Sequence, residues 1–185
     1  NFNFKPEAAI RIARALEPLR LMWLEVDLYD ERALREVKDA APMPICSGEN
    51  LYGLRGYRPA FEARAMDVVM IDVPWNGFAV SKKVADLAET YELNIAPHNY
   101  YSHLSTFHSL HLCAAVPNVR IMEIDVDDVP WKDELVDALP VIEDGHARIP
   151  TRPGWGADLV EAAARKHVWE PGRLPGYSDP AMHRT

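Results

Sequence analysis

Five short apolar runs recur along this chain, and each closes on a side chain that can bind a cation or move a proton. Glu25, Glu49, Asp72, His98 and Glu123 end them, at successive separations of 24, 23, 26 and 25 residues. The runs read as strands over Leu21–Leu24, Pro42–Cys46, Asp67–Asp72, Asn94–Pro97 and Val119–Met122. Between them lie segments of helical periodicity. Asp30 caps one that runs to Ala40, with Leu34 and Val37 inward, and Tyr57–Ala65 forms another with Pro59 in its first turn. Phe78–Tyr91 is lined by Val84, Leu87 and Ala88, and Ser102–Ala115 follows. A further helix, Pro6 to Glu17, precedes the first strand and aligns Ala9, Ile10, Ala13 and Leu16. Regular alternation of this length specifies an α/β fold built as a parallel βα array. In open α/β sheets and in barrels alike, ligands bind at the C-terminal edge of the strands. All five ionisable residues fall on that edge.

Parallel neighbours lie about 4.8 Å apart. Asp72 and His98 are therefore expected side by side, the carboxylate orienting the imidazole, holding one tautomer and raising its basicity. Glu25 and Glu49 end consecutive strands, so their carboxylates can converge on one cation. Hard oxygen ligands suit Mg²⁺, and a third ligand is expected. Each residue also has an ordinary reading. A strand-end Glu can be solvated or cap a helix, Asp72 can cap the turn after it, His98 can be a satisfied buried imidazole, and Glu123 can pair with Arg120. Five together on successive strands favour a site. Asn50, Trp75, Asn76, Asn99, Tyr100 and Tyr101 follow these strand ends directly and are expected to line a substrate pocket, with loop packing as the competing role. His108 and His111 share a helix face but have no carboxylate in register, so they read as structural. His103 and His146 read as surface or loop residues.

No Gly-x-Gly-x-x-Gly follows a strand and no Walker-type loop occurs, which argues against dinucleotide or nucleotide binding. The 185 residues carry a net charge of -8, the wrong sign for nucleic acid or an anionic membrane. No apolar run approaches the roughly 20 residues of a membrane span, and no signal-peptide pattern opens the chain. Cys46 and Cys113 sit in apolar segments and read as buried thiols of a cytoplasmic protein. After Glu123 the pattern changes. Residues 1–125 read as the βα array and 126–185 as an extension packed against it: a hairpin over Val141–Ile149 around Asp144-Gly145, a loop at Thr151–Gly156, a helix over Ala157–Arg165 and a poorly ordered tail.

The motifs Trp23-Leu24-Glu25, Ser47-Gly48-Glu49-Asn50, Met70-Ile71-Asp72 with Asn76-Gly77, Ala96-Pro97-His98, Met122-Glu123-Ile124-Asp125 and Pro153-Gly154-Trp155-Gly156 occur in that order. In this arrangement the chain resembles the mandelate racemase-like branch of the enolase superfamily. The resemblance implies a modified (β/α)₇β barrel with a capping domain, of which only the C-terminal part of the barrel is present. It implies that Glu25 and Glu49 are the second and third Mg²⁺ ligands, that His98 backed by Asp72 is a general base, and that Glu123 hydrogen-bonds the substrate carboxylate. The family's first metal ligand, an Asp on the preceding strand, and its Lys-x-Lys strand would lie before Asn1, where a strand remnant is expected. A departure falls at Glu25-Val26-Asp27, where the family carries Glu-Glu-Pro, and makes Asp27 a rival ligand.

The function so implied is Mg²⁺-dependent removal of the proton alpha to a carboxylate through an enediolate. Dehydration of a sugar acid by a lyase is the first expectation. Racemisation or epimerisation of a 2-hydroxy acid by an isomerase is the alternative, and a non-catalytic binding or assembly module is the reading from another class. The partner is a small carboxylate, and the resemblance implies a homo-oligomer that needs the preceding segment for activity.

Overall fold

The computed structural model describes residues 4–125 and 129–168. The strand remnant expected at Asn1, the turn around Asp127-Asp128 and the tail after residue 168 lie outside them.

Helix α1 (Pro6–Leu16) leads, by a 3₁₀ turn at Glu17–Leu19, into the repeating unit. Its elements are β1 (Leu24–Glu25), α2 (Glu31–Ala40), β2 (Ile45–Ser47), α3 (Gly53–Glu62), β3 (Val68–Val69), α4 (Val73–Asn76), α5 (Phe78–Thr90), β4 (Asn94–Ile95) and α6 (His103–Ala115). The four strands form one parallel sheet in the order β1-β2-β3-β4, so the chain winds steadily in one direction, as in a barrel. The expected fifth strand is reduced to a bridge between Ile95 and Val119. It is held by Ile95 N–H to the Asn118 carbonyl and Arg120 N–H to the Ile95 carbonyl, both at 2.8 Å.

Side-chain alternation divides the sheet into two faces. Ile45, Val69, Ile71 and Ile95 point outward and are buried against Leu34, Val37, Tyr57, Phe61, Val84 and Leu112 of the helices. Cys46, Val68, Met70 and Ala96 point to the concave face, beside Trp23. There a cleft of about 380 Å³ runs from Leu21 and Trp23 to Glu25 and Glu123. Phe61 is fully buried, and truncating such a side chain to Ala costs about 3–5 kcal/mol.

Local signals explain most element ends. The Asp30 carboxylate accepts from the Arg32 and Ala33 amides, as expected of the α2 cap. Helix α3 starts at Gly53, four residues earlier than expected, so Pro59 lies inside it rather than in its first turn. Pro59 removes the bond to the Arg55 carbonyl, but both residues lie on the exposed face, where water can replace it. The short α4 was not expected; Asp72 caps it and Pro74 sits in its first turn.

Past Glu123, the buried ammonium of Lys132 reaches the Asp125 carbonyl at 3.1 Å. The expected hairpin is present as β5 (Ile142–Glu143) and β6 (His146–Ala147), turning at Asp144-Gly145. Helix α7 spans only Glu161–Ala164. Val136 and Ala157 join Phe107 and Leu110 of α6 in a small separate core. Trp155 lies against the rings of His108 and His111, with centroids at 4.4 and 5.6 Å, so both imidazoles are packed structurally as expected. His103 is less exposed than expected and meets Asp133 at 2.7 Å.

Candidate active site

The strand ends bring Glu25, Asp27, Glu49, Asp72, His98 and Glu123 to one corner of the sheet. Register explains how. Asp72 and His98 face each other across a parallel bridge, so the carboxylate and imidazole are neighbours by backbone pairing alone. His98 Nδ1 lies 2.9 Å from Asp72 Oδ2. The same oxygen accepts from the Tyr101 hydroxyl at 2.7 Å, while Asp72 Oδ1 accepts from the Trp75 amide at 2.8 Å. Asp72, 1% exposed, thus caps α4 and orients His98 at once. With Asp72 as the acceptor, the imidazole proton sits on Nδ1 and the Nε2 lone pair faces the other carboxylates. Nε2 lies 3.2 Å from Glu49 Oε2 and 4.0 Å from Glu123 Oε2. Burial pulls the basicity of His98 down, but the Asp72 hydrogen bond and the Glu49 and Glu123 carboxylates outweigh it and leave its pKa above the ordinary value.

Glu49 follows a tight passage. Gly48 has φ +120°, and a Cβ there would stand 2.9 Å from the Met70 carbonyl oxygen, so only glycine fits. The buried Tyr57 hydroxyl lies 2.9 Å from the Gly48 carbonyl and 3.0 Å from that of Met70, holding the turn to β3.

Glu25, Asp27 and Glu49 each offer a carboxylate oxygen within 4.8 Å of the others. Asp27 Oδ1 faces the Ser47 hydroxyl at 3.2 Å and the Gly48 amide at 3.4 Å; Oδ2 is buried with no hydrogen-bond partner. This crowding shows in proton affinity. Desolvation and then the Asp27, Glu49 and Glu123 carboxylates push Glu25 up to about 7, although the residue stands open to solvent at the rim. Burial raises Asp27 despite its donors, and burial together with Asp27 raises Glu49. Clustered hard oxygens that resist ionisation are the donor set of a divalent cation, so these residues fit such an ion.

The expected pocket residues scatter. Trp75 is half-exposed and stacks on Tyr52 with centroids at 5.6 Å, and Tyr100 is exposed. Asn50 lies in a cleft of about 240 Å³ with Asp27, Ser47 and Arg55, between α2 and α3. Two asparagines are tied into the loops by hydrogen bonds. Asn76 accepts from the Gly53 amide and donates to the Leu51 and Asp72 carbonyls, tying two loops together. Asn99 is wholly buried; its amide nitrogen donates to Thr106 and the Glu123 carbonyl, and its oxygen accepts from Ser105. Its backbone N–H donates to Glu123 Oε2 at 2.8 Å, so Asn99 aims Glu123 from behind. Arg120 does not take up Glu123 as its visible partner; its guanidinium lies over the Trp23 ring. Tyr101, read as a pocket residue, instead clamps Asp72; its place three residues after His98 was the available signal.

Comparison with known proteins points the same way. The family model described as enolase C-terminal domain-like matches residues 1–163. D-xylonate dehydratase of Haloferax volcanii is 33% identical, over 92% of this chain and 42% of its own length. A D-galactonate dehydratase family member of Oceanicola granulosus is 31% identical, over 92% and 43%. A solved structure of a candidate L-alanine-DL-glutamate epimerase from Burkholderia xenovorans strain LB400, bound to magnesium and fumarate, is 46% identical with TM-score 0.87, covering 90% of this chain and 42% of that one. The chain thus spans less than half the length of the relatives it matches.

Proposed function

This chain belongs to the enolase C-terminal domain-like family, and from that premise we propose that it carries the proton-transfer half of an enzyme that removes the proton alpha to a carboxylate and dehydrates a sugar acid. The observation that carries the reading is the His98 imidazole, oriented by Asp72 from one side and turned at Nε2 toward the Glu49 and Glu123 carboxylates. The names of the two dehydratase relatives support a sugar acid as the substrate class.

Glu25 and Glu49 would hold Mg²⁺, the ion bound to the 46% identical structure. The chemistry the ion supplies when bound is stabilisation of the negative charge that develops on the substrate carboxylate. The chain's own groups do the rest. His98 Nε2 takes the α-proton, and the C–H electron pair moves into the carboxylate to give an enediolate. The imidazolium, steadied by Asp72, returns that proton to the β-hydroxyl. As the electrons move back, the C–O bond breaks, water leaves and an enol remains to become the 2-keto acid. Glu123, aimed by the Asn99 amide, hydrogen-bonds the substrate carboxylate. We assign Trp75, Asn50 and Tyr100, which follow the strand ends in sequence, to contacts with the rest of the substrate. Two cysteines free of disulfides, Cys46 and Cys113, fit the reducing cytoplasm. We take the working enzyme to be a homo-oligomer whose polypeptide includes more than these residues, with 126–185 as the extension packed on the barrel.

The epimerase name of the 46% identical structure favours a second reading, reprotonation on the opposite face. One assay separates them. The complete protein is incubated with Mg²⁺ and a panel of sugar acids and 2-hydroxy acids, and products are followed by NMR. A 2-keto-3-deoxy acid supports dehydration. Inverted substrate with no loss of water supports the isomerase, and no turnover of any acid by folded, metal-loaded protein contradicts both.

A further inference from the structure

Asp27 has no counterpart in the Glu-Glu-Pro pattern that the chain otherwise resembles, and its setting is unusual. It is 3% exposed, beside two other carboxylates, on a short edge strand. Backbone pairing places it there. Glu25 pairs with Cys46, so two residues on, Asp27 stands level with Gly48, between Glu25 and Glu49. Oδ1 faces Ser47 and Gly48, which fixes the carboxylate plane. Oδ2 is left buried without any partner. An unpartnered buried carboxylate oxygen costs several kcal/mol unless something cationic meets it. No lysine or arginine does so among the described residues; Glu25 and Glu49 repel it, and the His98 imidazole, whose ring nitrogens face Asp72 and Glu49, acts on it only at longer range.

We propose that Asp27 is a direct ligand of the divalent cation held by Glu25 and Glu49, binding it through Oδ2. The ion then meets three carboxylates of this chain. The Ser47 and Gly48 contacts to Oδ1 make one oxygen the anchor and the other the ligand. Any ligand from the preceding segment would add to these three, and positions left over would fall to water and substrate. The inference rests on the metal-dependent reading above and adds a residue to it.

Asp27→Asn separates ligation from packing, because an asparagine oxygen still accepts from Ser47 and Gly48 while its NH₂ cannot bind a cation. The complete protein is titrated with Mn²⁺, free ion being counted by electron paramagnetic resonance. Glu49→Gln is the control for a ligand. Asp27→Asn is expected to weaken Mn²⁺ by more than about 100-fold, beyond the range for residues that only orient ligands. In chelator the variant should melt no lower than its parent. Parental affinity in Asp27→Asn, with affinity lost in Glu49→Gln, overturns the proposal and leaves the metal reading standing. No Mn²⁺ binding by the parent overturns both. Anomalous scattering from Mn²⁺ in crystals of the parent gives an answer independent of any variant. An Asp27 oxygen at bonding distance, about 2.1 Å for a Mg²⁺-sized ion, supports the assignment; an ion on Glu25 and Glu49 with Asp27 more than about 3.5 Å away rejects it.

Discussion

Two corners of one sheet edge treat charge in opposite ways. Around Asp72, three donors converge on one carboxylate: the Trp75 amide, the Tyr101 hydroxyl and His98 Nδ1. Around Asp27, three carboxylates crowd together and one buried oxygen has no donor at all. The first corner is complete as the chain folds it. Its orientation is part of the fold, through the α4 cap and the bridge between Asp72 and His98. The second gathers like charge, and on the reading proposed above a cation would complete it. The oriented imidazole and the crowded carboxylates are joined by the 3.2 Å approach of His98 Nε2 to Glu49. Under the proposed function, the base would be held rigidly within the field of the ion, which is what electrostatic catalysis requires.

Breaking the first corner should cost most in rate and least in metal binding. His98→Asn is expected to lower turnover by roughly 10²–10⁴-fold, the usual worth of a general base, with Mn²⁺ affinity retained. Asp72→Asn should lower turnover by about 10²-fold. Its melting temperature should shift by the equivalent of less than about 1 kcal/mol, since Asn caps a helix nearly as well as Asp. Urea titration and single-turnover kinetics check the two halves of that statement. Loading the second corner should stabilise the fold. Mg²⁺ at a hundred times its dissociation constant should add about 2.7 kcal/mol, read by differential scanning calorimetry, and Glu49→Gln should abolish the gain. Tyr101→Phe removes one of Asp72's three donors and is expected to cost about 1 kcal/mol of transition-state stabilisation, with the pH–rate profile moved to higher pH as Asp72 leans more on His98.

A pH scan in chelator makes the comparison sharper. Glu25 is raised to about 7, and Asp27, Glu49 and His98 are also raised. A raised pKa means the folded state holds protons that the unfolded state has released. The stability these groups contribute is therefore fully present below their unfolded values. For Glu25 it is lost as pH rises from 4.5 to about 7, for Asp27 and Glu49 as pH rises through their raised values above 3.8 and 4.5, and for His98 as pH rises through its raised value, above 6.5. Melting temperature in chelator should fall across that window, Glu25→Gln should flatten the fall, and saturating Mg²⁺ should remove it. A metal-free protein that gains stability over the same window would show the acidic corner to be satisfied by something other than a cation.

Which parts were legible in the sequence follows from physics. Asp72 beside His98 was legible because a parallel βα repeat of fixed length puts equivalent strand ends in register. The same spacing argument hid a stagger: Glu25 pairs with Cys46, three residues before Glu49, and Asp27, two residues past Glu25, joins the cluster. Strand lengths were overread, since apolar runs such as Val119–Met122 satisfy packing with a single bridge. The asparagines were ambiguous for a different reason. Asn76 and Asn99 carry both donor and acceptor, which suits a sugar hydroxyl and a loop carbonyl equally, and composition cannot distinguish the two. The structure gives Asn99 to Thr106, Ser105 and Glu123. Asp72 takes both of the roles read for it, capping the turn after it, where Pro74 opens α4, and pairing with His98.

The most direct test is exchange of the α-proton in D₂O, followed by NMR on the complete protein with sugar acids and 2-hydroxy acids. Exchange or dehydration that requires both Mg²⁺ and His98, and disappears in His98→Asn, is the predicted result. Exchange that persists undiminished in His98→Asn would contradict the account, because the oriented imidazole could then not be the group that takes the proton.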